Sequence, residues 1–259
     1  MAERDAYAPG TFSWVELAAA DQRGAKEFYT ALFGWDAEDR PVADDVVYSM
    51  MSLHGRHVAA IAPQPERQRA AGAPPMWNSF VTVESADAAL DRAVELGGSA
   101  HAPAFDVFDA GRMAVVQDPQ GAYFELWEPR GHRGAGLVNA PGALTWNELR
   151  TSDLDGAGAF YAALFGWRGD PFEGSPEPYV SLRNGDADAG GLCALGPREP
   201  TPHWLVYFGC ADVGEALARA VGLGARKLQD PIEIGVGTVA QLLDPQGAAF
   251  ALFAGRFDD

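Results

Sequence analysis

The sequence predicts an α+β protein built from two tandem copies of one domain, each copy holding a pair of strand–helix–three-strand units. Three observations carry this. Residues 10–35 read GTFSWVELAAADQRGAKEFYTALFGW and residues 142–167 read GALTWNELRTSDLDGAGAFYAALFGW, with 14 of 26 positions identical at an offset of 132. Unrelated segments would share roughly one or two. The turn Asp118-Pro119-Gln120-Gly121 recurs as Asp244-Pro245-Gln246-Gly247, so both markers appear in the same order in both halves. Around them, segments of strand-like alternation and segments of helical spacing follow one another twice per half. The halves are expected to span 9–129 and 142–255, joined by 130–141 with its three glycines.

Each element has its own signal. Residues 11–19, rich in Trp, Val and Leu, alternate as a strand. Asp21 reads as a helix N-cap, Ala25, Phe28, Tyr29, Leu32 and Phe33 fall at helical spacing, and Gly34 stops the helix. Strands follow at 46–53 and 57–62, joined by a tight turn at His54-Gly55. The stretch 63–75, with four prolines, reads as a loop or linker. A strand at 77–84 leads to a helix at 86–96, capped by Ser85 and stopped at Gly97-Gly98, and then to strands at 99–105, 112–117 and 122–128. The second half repeats the plan, with a strand at 144–150, a helix at 153–165 and strands at 179–182 and 187–194. A strand at 204–210, a helix at 212–223 and three final strands complete it.

Bulk properties narrow the function classes. There are 36 acids against 19 bases, a net charge of −17, which repels phosphate backbones and anionic lipid, so neither nucleic acid nor membrane is an expected partner. No apolar run is long enough to span a bilayer. The start, MAERDAYAPG, lacks the apolar stretch of a secretory signal, so a cytoplasmic location is expected. Cys193 and Cys210 read as two buried thiols outside any metal-binding spacing.

The duplicated units, the FY…LFGW helix end and the DPxG turn into a final strand resemble the vicinal oxygen chelate superfamily. That superfamily includes glyoxalase I, bleomycin-resistance proteins, fosfomycin-resistance enzymes and extradiol dioxygenases. Closest in layout are its tandem two-domain glyoxalase-like proteins, often labelled hydroxylases in antibiotic gene clusters. The resemblance implies curved mixed sheets that form cup-like half-barrels. It also implies where metal-dependent members place their ligands. In the first half those positions hold Trp14, then Trp77 or Asn78, then Glu125. In the second half they hold Trp146, then Trp204 or Leu205, then Ala251, with His203 one residue early. An indole N–H only donates, so Trp cannot ligate a cation. His54, His57, His101 and His132 fall elsewhere. The expectation is therefore no cofactor, with a divalent metal as the alternative.

Residues two apart on a strand share a face. The first cup is then expected to present Trp14, Glu16, Glu125 and Trp127, and the second Trp146, Glu148 and Phe253. Trp77 and Trp204 are further candidates for ligand contact, while Trp35 and Trp167 read as packing residues. Glu16 and Glu125 form a carboxylate pair suited to general acid–base work, because burial and mutual repulsion raise carboxyl pKa values. The function expected is metal-independent binding of an apolar, aromatic small molecule, as in antibiotic resistance or secondary-metabolite biosynthesis. The alternatives are a cofactor-independent lyase, isomerase or hydroxylation-assisting enzyme using Glu16 and Glu125, and a metal-dependent glyoxalase or dioxygenase. Whether the halves share one cavity or form two is left open, and the chain is expected to act as a monomer or a homodimer.

Overall fold

The computed structural model describes residues 2–44, 46–196, 199 and 201–257. The first half runs β1 (Ala2–Glu3), β2 (Phe12–Ala19), α1 (Gln22–Phe33), β3 (Asp36–Ala43), β4 (Val46–Leu53), β5 (Arg56–Pro63) and α2 (Glu66–Ala70). It continues with β6 (Met76–Thr82), α3 (Ala86–Glu95), β7 (Ser99–Ala100), β8 (Phe105–Val107), β9 (Gly111–Gln117) and β10 (Tyr123–Pro129). After β11 (Leu137–Val138), the second half runs β12 (Leu144–Thr151), α4 (Leu154–Phe165), β13 (Arg168–Pro171), β14 (Tyr179–Asn184), β15 (Ala187–Ala194) and β16 (His203–Gly209). It ends with α5 (Val213–Gly222), β17 (Arg226–Lys227), β18 (Ile232–Ile234), β19 (Gly237–Leu243) and β20 (Ala249–Gly255).

Each half folds its strands into its own nine-stranded mixed sheet. The orders are β3-β4-β5-β2-β6-β10-β9-β7 and β13-β14-β15-β12-β16-β20-β19-β17, with β8 and β18 added on β9 and β19. Antiparallel pairing of β2 with β6, and of β12 with β16, joins the two units of each half. The strands of the two halves thus form two separate sheets. A third, two-stranded sheet ties β1 to β11 in the linker.

The caps sit where the side chains dictate. Asp21, Ser85, Asp153 and Asp212 each accept a backbone N–H of their helix's first turn. Gly34 and Gly166 close α1 and α4 in the left-handed region, at φ 73° and 75°. Several expectations are corrected. The 63–75 stretch holds the short helix α2, and 99–105 breaks into β7 and β8. Strands β3 and β13 gave no sequence signal. In β3, DAEDRPVA, only Val42 is even half-buried, so no alternation exists to be read, and an edge strand tolerates Pro41.

The two repeated motifs meet each other across the halves. The Trp77 indole N–H donates to the Tyr29 hydroxyl (2.9 Å), which donates to Asp244 Oδ2 of the second DPQG turn (3.2 Å). The pseudo-symmetric copy runs from Trp204 to Tyr161 (3.0 Å) to Asp118 (3.0 Å). Trp35 donates to the Gly142 carbonyl (2.7 Å) and Trp167 to that of Gly10 (2.8 Å). The two larger cores mix residues of both halves, so the halves are bonded and packed as one body.

Candidate functional site

Register settles which side chains share a face. Trp14 pairs with Phe80, Glu16 with Asn78 and Glu125 with Phe80, so Trp14, Glu16, Asn78, Phe80, Glu125 and Trp127 lie on the first concave face. Trp77 pairs with Leu17 and Trp204 with Leu149, which puts both indoles on the opposite, helix-covered face. There they are buried and bonded to Tyr29 and Tyr161. The expectation that Trp77 and Trp204 contact a ligand is corrected: they sit one residue out of phase with the concave side.

In the first cup the Trp14 N–H donates to the Tyr48 hydroxyl of β4 (3.2 Å). Burial raises Glu16 to about 7, against a lowering hydrogen bond from Tyr48. Glu125 is 4% exposed and its Oε2 has no hydrogen-bond partner. Burial first, and then the charge of Glu16, hold its carboxyl well above the usual range. The linker covers part of this face. Its His132 ring packs edge-on to Trp14 (4.5 Å) and near Trp127 (5.9 Å), and the Trp127 N–H donates to the His132 carbonyl (3.0 Å). Burial, with the nearby His57 and Arg40 charges, lowers the His132 imidazole to about 4, so it stays neutral at pH 7.

The second cup is open. A cavity of ≈ 1620 Å³ occupies its concave face. Trp146, Tyr179, Tyr207, Phe253 and Phe172 are among its aromatic lining, and Glu148, Arg150, Arg183, Asp188 and Glu199 are among its many charged and polar groups. Trp146 donates to the Tyr179 hydroxyl (2.7 Å). Tyr207 donates to Glu148 Oε1 (2.9 Å), which also faces Arg150 Nη2 (2.7 Å). Arg4 and Tyr7 of the N-terminal segment and Val138 and Asn139 of the linker complete the wall, so part of this cavity lies outside its own half.

Gly191 makes room for the floor. A Cβ there would run into the Tyr179 ring and hydroxyl, whereas the first half has Ala60 at the matching place beside Glu16. Gly191→Ala is expected to displace Tyr179, break its bond with Trp146 and destabilise the fold by about 1–3 kcal/mol. Trp fluorescence and a denaturant midpoint check this, and an unchanged emission spectrum would contradict it.

Sequence reasoning reached Trp14, Glu16, Glu125, Trp127, Trp146, Glu148 and Phe253 as concave-face residues, and the structure brings them to the two cups as four and three. It missed Tyr48, Tyr179, Tyr207, Arg150 and His132. Arg150 was within reach, being two residues beyond Glu148 on the same strand. The tyrosines come from neighbouring strands whose register the sequence does not state.

Indoles stand at two of the positions where the resemblance implies metal ligands. The Trp14 and Trp146 N–H groups are donors committed to tyrosine hydroxyls. Among the described residues, no group of three or more His, Cys, Asp or Glu side chains could hold a metal ion. No described helix is long and apolar enough to cross a membrane.

Tandem βαβββ units, open cups and repeated DPxG turns define a class, and the comparisons agree with it. Residues 11–126 match the Glyoxalase/Bleomycin resistance protein/Dioxygenase superfamily and residues 146–253 a Glyoxalase-like domain; the chain belongs to that superfamily. It is 44% identical over 256 residues to "Putative glyoxylase CFP32" of Mycobacterium tuberculosis (strain CDC 1551 / Oshkosh), over 97% of each chain. It is 33% identical over 259 residues to the anthracycline biosynthesis protein DauV of Streptomyces sp. (strain C5), over 95% of this chain and 94% of that one. Among solved structures, the Mn(II)-bound glyoxalase from Novosphingobium aromaticivorans aligns at TM-score 0.65 and 14% identity, over 95% of this chain and 82% of that one. The 2,2',3-trihydroxybiphenyl 1,2-dioxygenase of Sphingomonas wittichii strain RW1 aligns at TM-score 0.64 and 14% identity, over 96% and 91%. These structural likenesses establish the fold alone.

Proposed function

We propose that this chain is a small-molecule-binding protein of the glyoxalase/bleomycin-resistance type. Its second cup takes an apolar, aromatic natural product without a bound metal, in resistance or in secondary-metabolite biosynthesis. The observation that carries the reading is the ≈ 1620 Å³ cavity, whose aromatic rings Trp146, Tyr179, Tyr207 and Phe253 stand beside charged and polar side chains. Drug-sized pockets are about 300–1,000 Å³, so this one has room for several fused rings. The similarity to a protein named for anthracycline biosynthesis supports a polycyclic ligand. Metal independence is supported by indoles at the positions where the superfamily resemblance implies a His or Gln ligand. One chain supplies both cups, so neither a partner chain nor a homodimer is required.

The test is titration with an anthracycline in the presence of a chelator. Saturable quenching of Trp fluorescence at one ligand per chain is expected, and Trp146→Ala should weaken binding about tenfold. Failure of every polycyclic aromatic to bind saturably, or binding that requires an added divalent ion, would sink the reading.

A second reading rests on the first cup. Two raised carboxyls on one buried face, one of them near neutrality, suit a general base beside a general acid. This supports cofactor-independent proton transfer, as in a lyase, an isomerase or a hydroxylation-assisting protein. If so, product formation should survive chelation and fall in Glu16→Gln and Glu125→Gln; unchanged turnover in both would exclude it.

A further inference from the structure

We propose that Glu148, aimed by Arg150 and Tyr207, is the recognition group of the second cup, and that it selects planar aromatic ligands bearing a free hydroxyl. The hydroxyl donates to the carboxylate while the rings lie between the aromatic walls. The proposal rests on the binding reading above and names the ligand class of that same cavity.

Three observations lead to it. First, Glu148 lines the cavity although it is only 5% exposed; its Oε1 accepts the Tyr207 O–H and forms an ion pair with Arg150 Nη2. A carboxylate offers about four acceptor positions, so these two contacts and the Cys193 thiol beside it leave capacity for a further donor.

Second, two of the polar groups beside Glu148 are committed or neutral. The Trp146 N–H is spent on Tyr179, and burial pushes the Cys193 thiol up, so it carries no charge at pH 7. Arg150 Nε has no hydrogen-bond partner and lies 3.9 Å from Glu199 Oε1, with His203 Nε2 3.8 Å from the same oxygen. Arg150 is thus held between two carboxylates and fixes the direction of Glu148. It acts as a positioning residue.

Third, the other half shows that packing does not need this cluster. At the offset that aligns the repeats, Ala18 stands where the second half has Arg150. Phe80 pairs with Trp14 as Tyr207 pairs with Trp146. A buried ion pair is costly to desolvate and can often be replaced by apolar residues at no loss of stability. The charged floor occurs in the cup with the open cavity, and the matching positions of the linker-covered cup hold Ala18 and Phe80. That coincidence points to ligand selection.

The experiment compares three matched probes on the whole chain: 2-hydroxyanthraquinone, 2-methoxyanthraquinone and unsubstituted anthraquinone. The methoxy compound keeps an oxygen acceptor and lacks the donor. Wild type should bind the hydroxy probe about tenfold or more tighter than either other. Glu148→Gln should cut that preference to about threefold or less, since a neutral acceptor is the weaker one. The double variant Glu148→Gln/Arg150→Met leaves no unpaired charge of the pair and should show the same loss. The ratio between probes is a readout that mere loosening of the fold would not move selectively. Equal affinity of all three probes for wild type, or a preference that survives in a folded Glu148→Gln, overturns the role of Glu148 alone. Absence of saturable binding by all three overturns the binding reading together with it.

Discussion

Asp118→Ala is expected to lower the stability of the whole chain by about 3 kcal/mol, because it strips the acceptor from several donors at once. Asp118 Oδ1 receives the backbone N–H groups of Gln120, Gly121 and Ala122 at 2.9, 2.8 and 2.9 Å. Its Oδ2 receives the Tyr161 hydroxyl of the other half. Alanine offers nothing to any of them, and the carboxylate is only 4% exposed, so water cannot take its place without opening the turn. Asn should cost about 1 kcal/mol, since its carbonyl oxygen can still accept the turn's N–H groups. Asp244→Ala should behave likewise, with Gln246, Ala248 and Tyr29 as the losers. Urea denaturation measures this. A loss below about 1 kcal/mol for Asp118→Ala would mean that the turn holds its shape without the carboxylate.

The second large effect is a dependence on pH. The folded-state pKa of Glu16 is raised from 4.5 to about 7. Below pH 4.5 the folded and unfolded chains both hold this proton, and the contribution is fully present. Between pH 4.5 and about 7 only the folded chain holds it, so stability falls as pH rises, by about 1.4 kcal/mol per unit. Above about 7 both forms have lost it and the term is flat. Glu125, raised by burial and by the charge of Glu16, adds a fall of the same sign. Glu16→Gln should therefore gain on wild type by on the order of 2–3 kcal/mol between pH 5 and pH 7.5. Exposed carboxylates held low by arginine or lysine, such as Asp39 and Asp87, lose their contribution only below the ordinary carboxylate range. Chemical denaturation of both proteins across that window is the check. Parallel profiles would show that Glu16 ionises normally, and would also remove the basis for its use as a near-neutral base.

Asp118 and Tyr161 were both visible as repeated motif residues, and the turn itself was read correctly. That the DPQG turn of one half binds the FY helix of the other could not be read, because the two partners lie 43 and 215 residues apart. Trp77 and Trp204 fell to the same gap. Their strands were recognised, but which of two alternating faces turns inward depends on pairing with β2 and β12. A single step of phase moved both indoles from the cavity to the core. Edge strand β3 stayed hidden because one side of it packs on nothing.

What the chain's residues determined alone was whatever is local or repeated: the caps, the glycine stops, the turns, the duplication and the superfamily that follows from it. What only the tertiary structure decided was the difference between the two cups. The linker lays His132 over the first, and the N-terminal segment walls the second. Arg150 and Tyr207 join Glu148 there, and Gly191 leaves space for Tyr179. Those outcomes depend on register and on contacts between distant segments. No window of neighbouring residues contains them, because local periodicity reports how a side chain leaves its own backbone and is silent about what arrives from elsewhere.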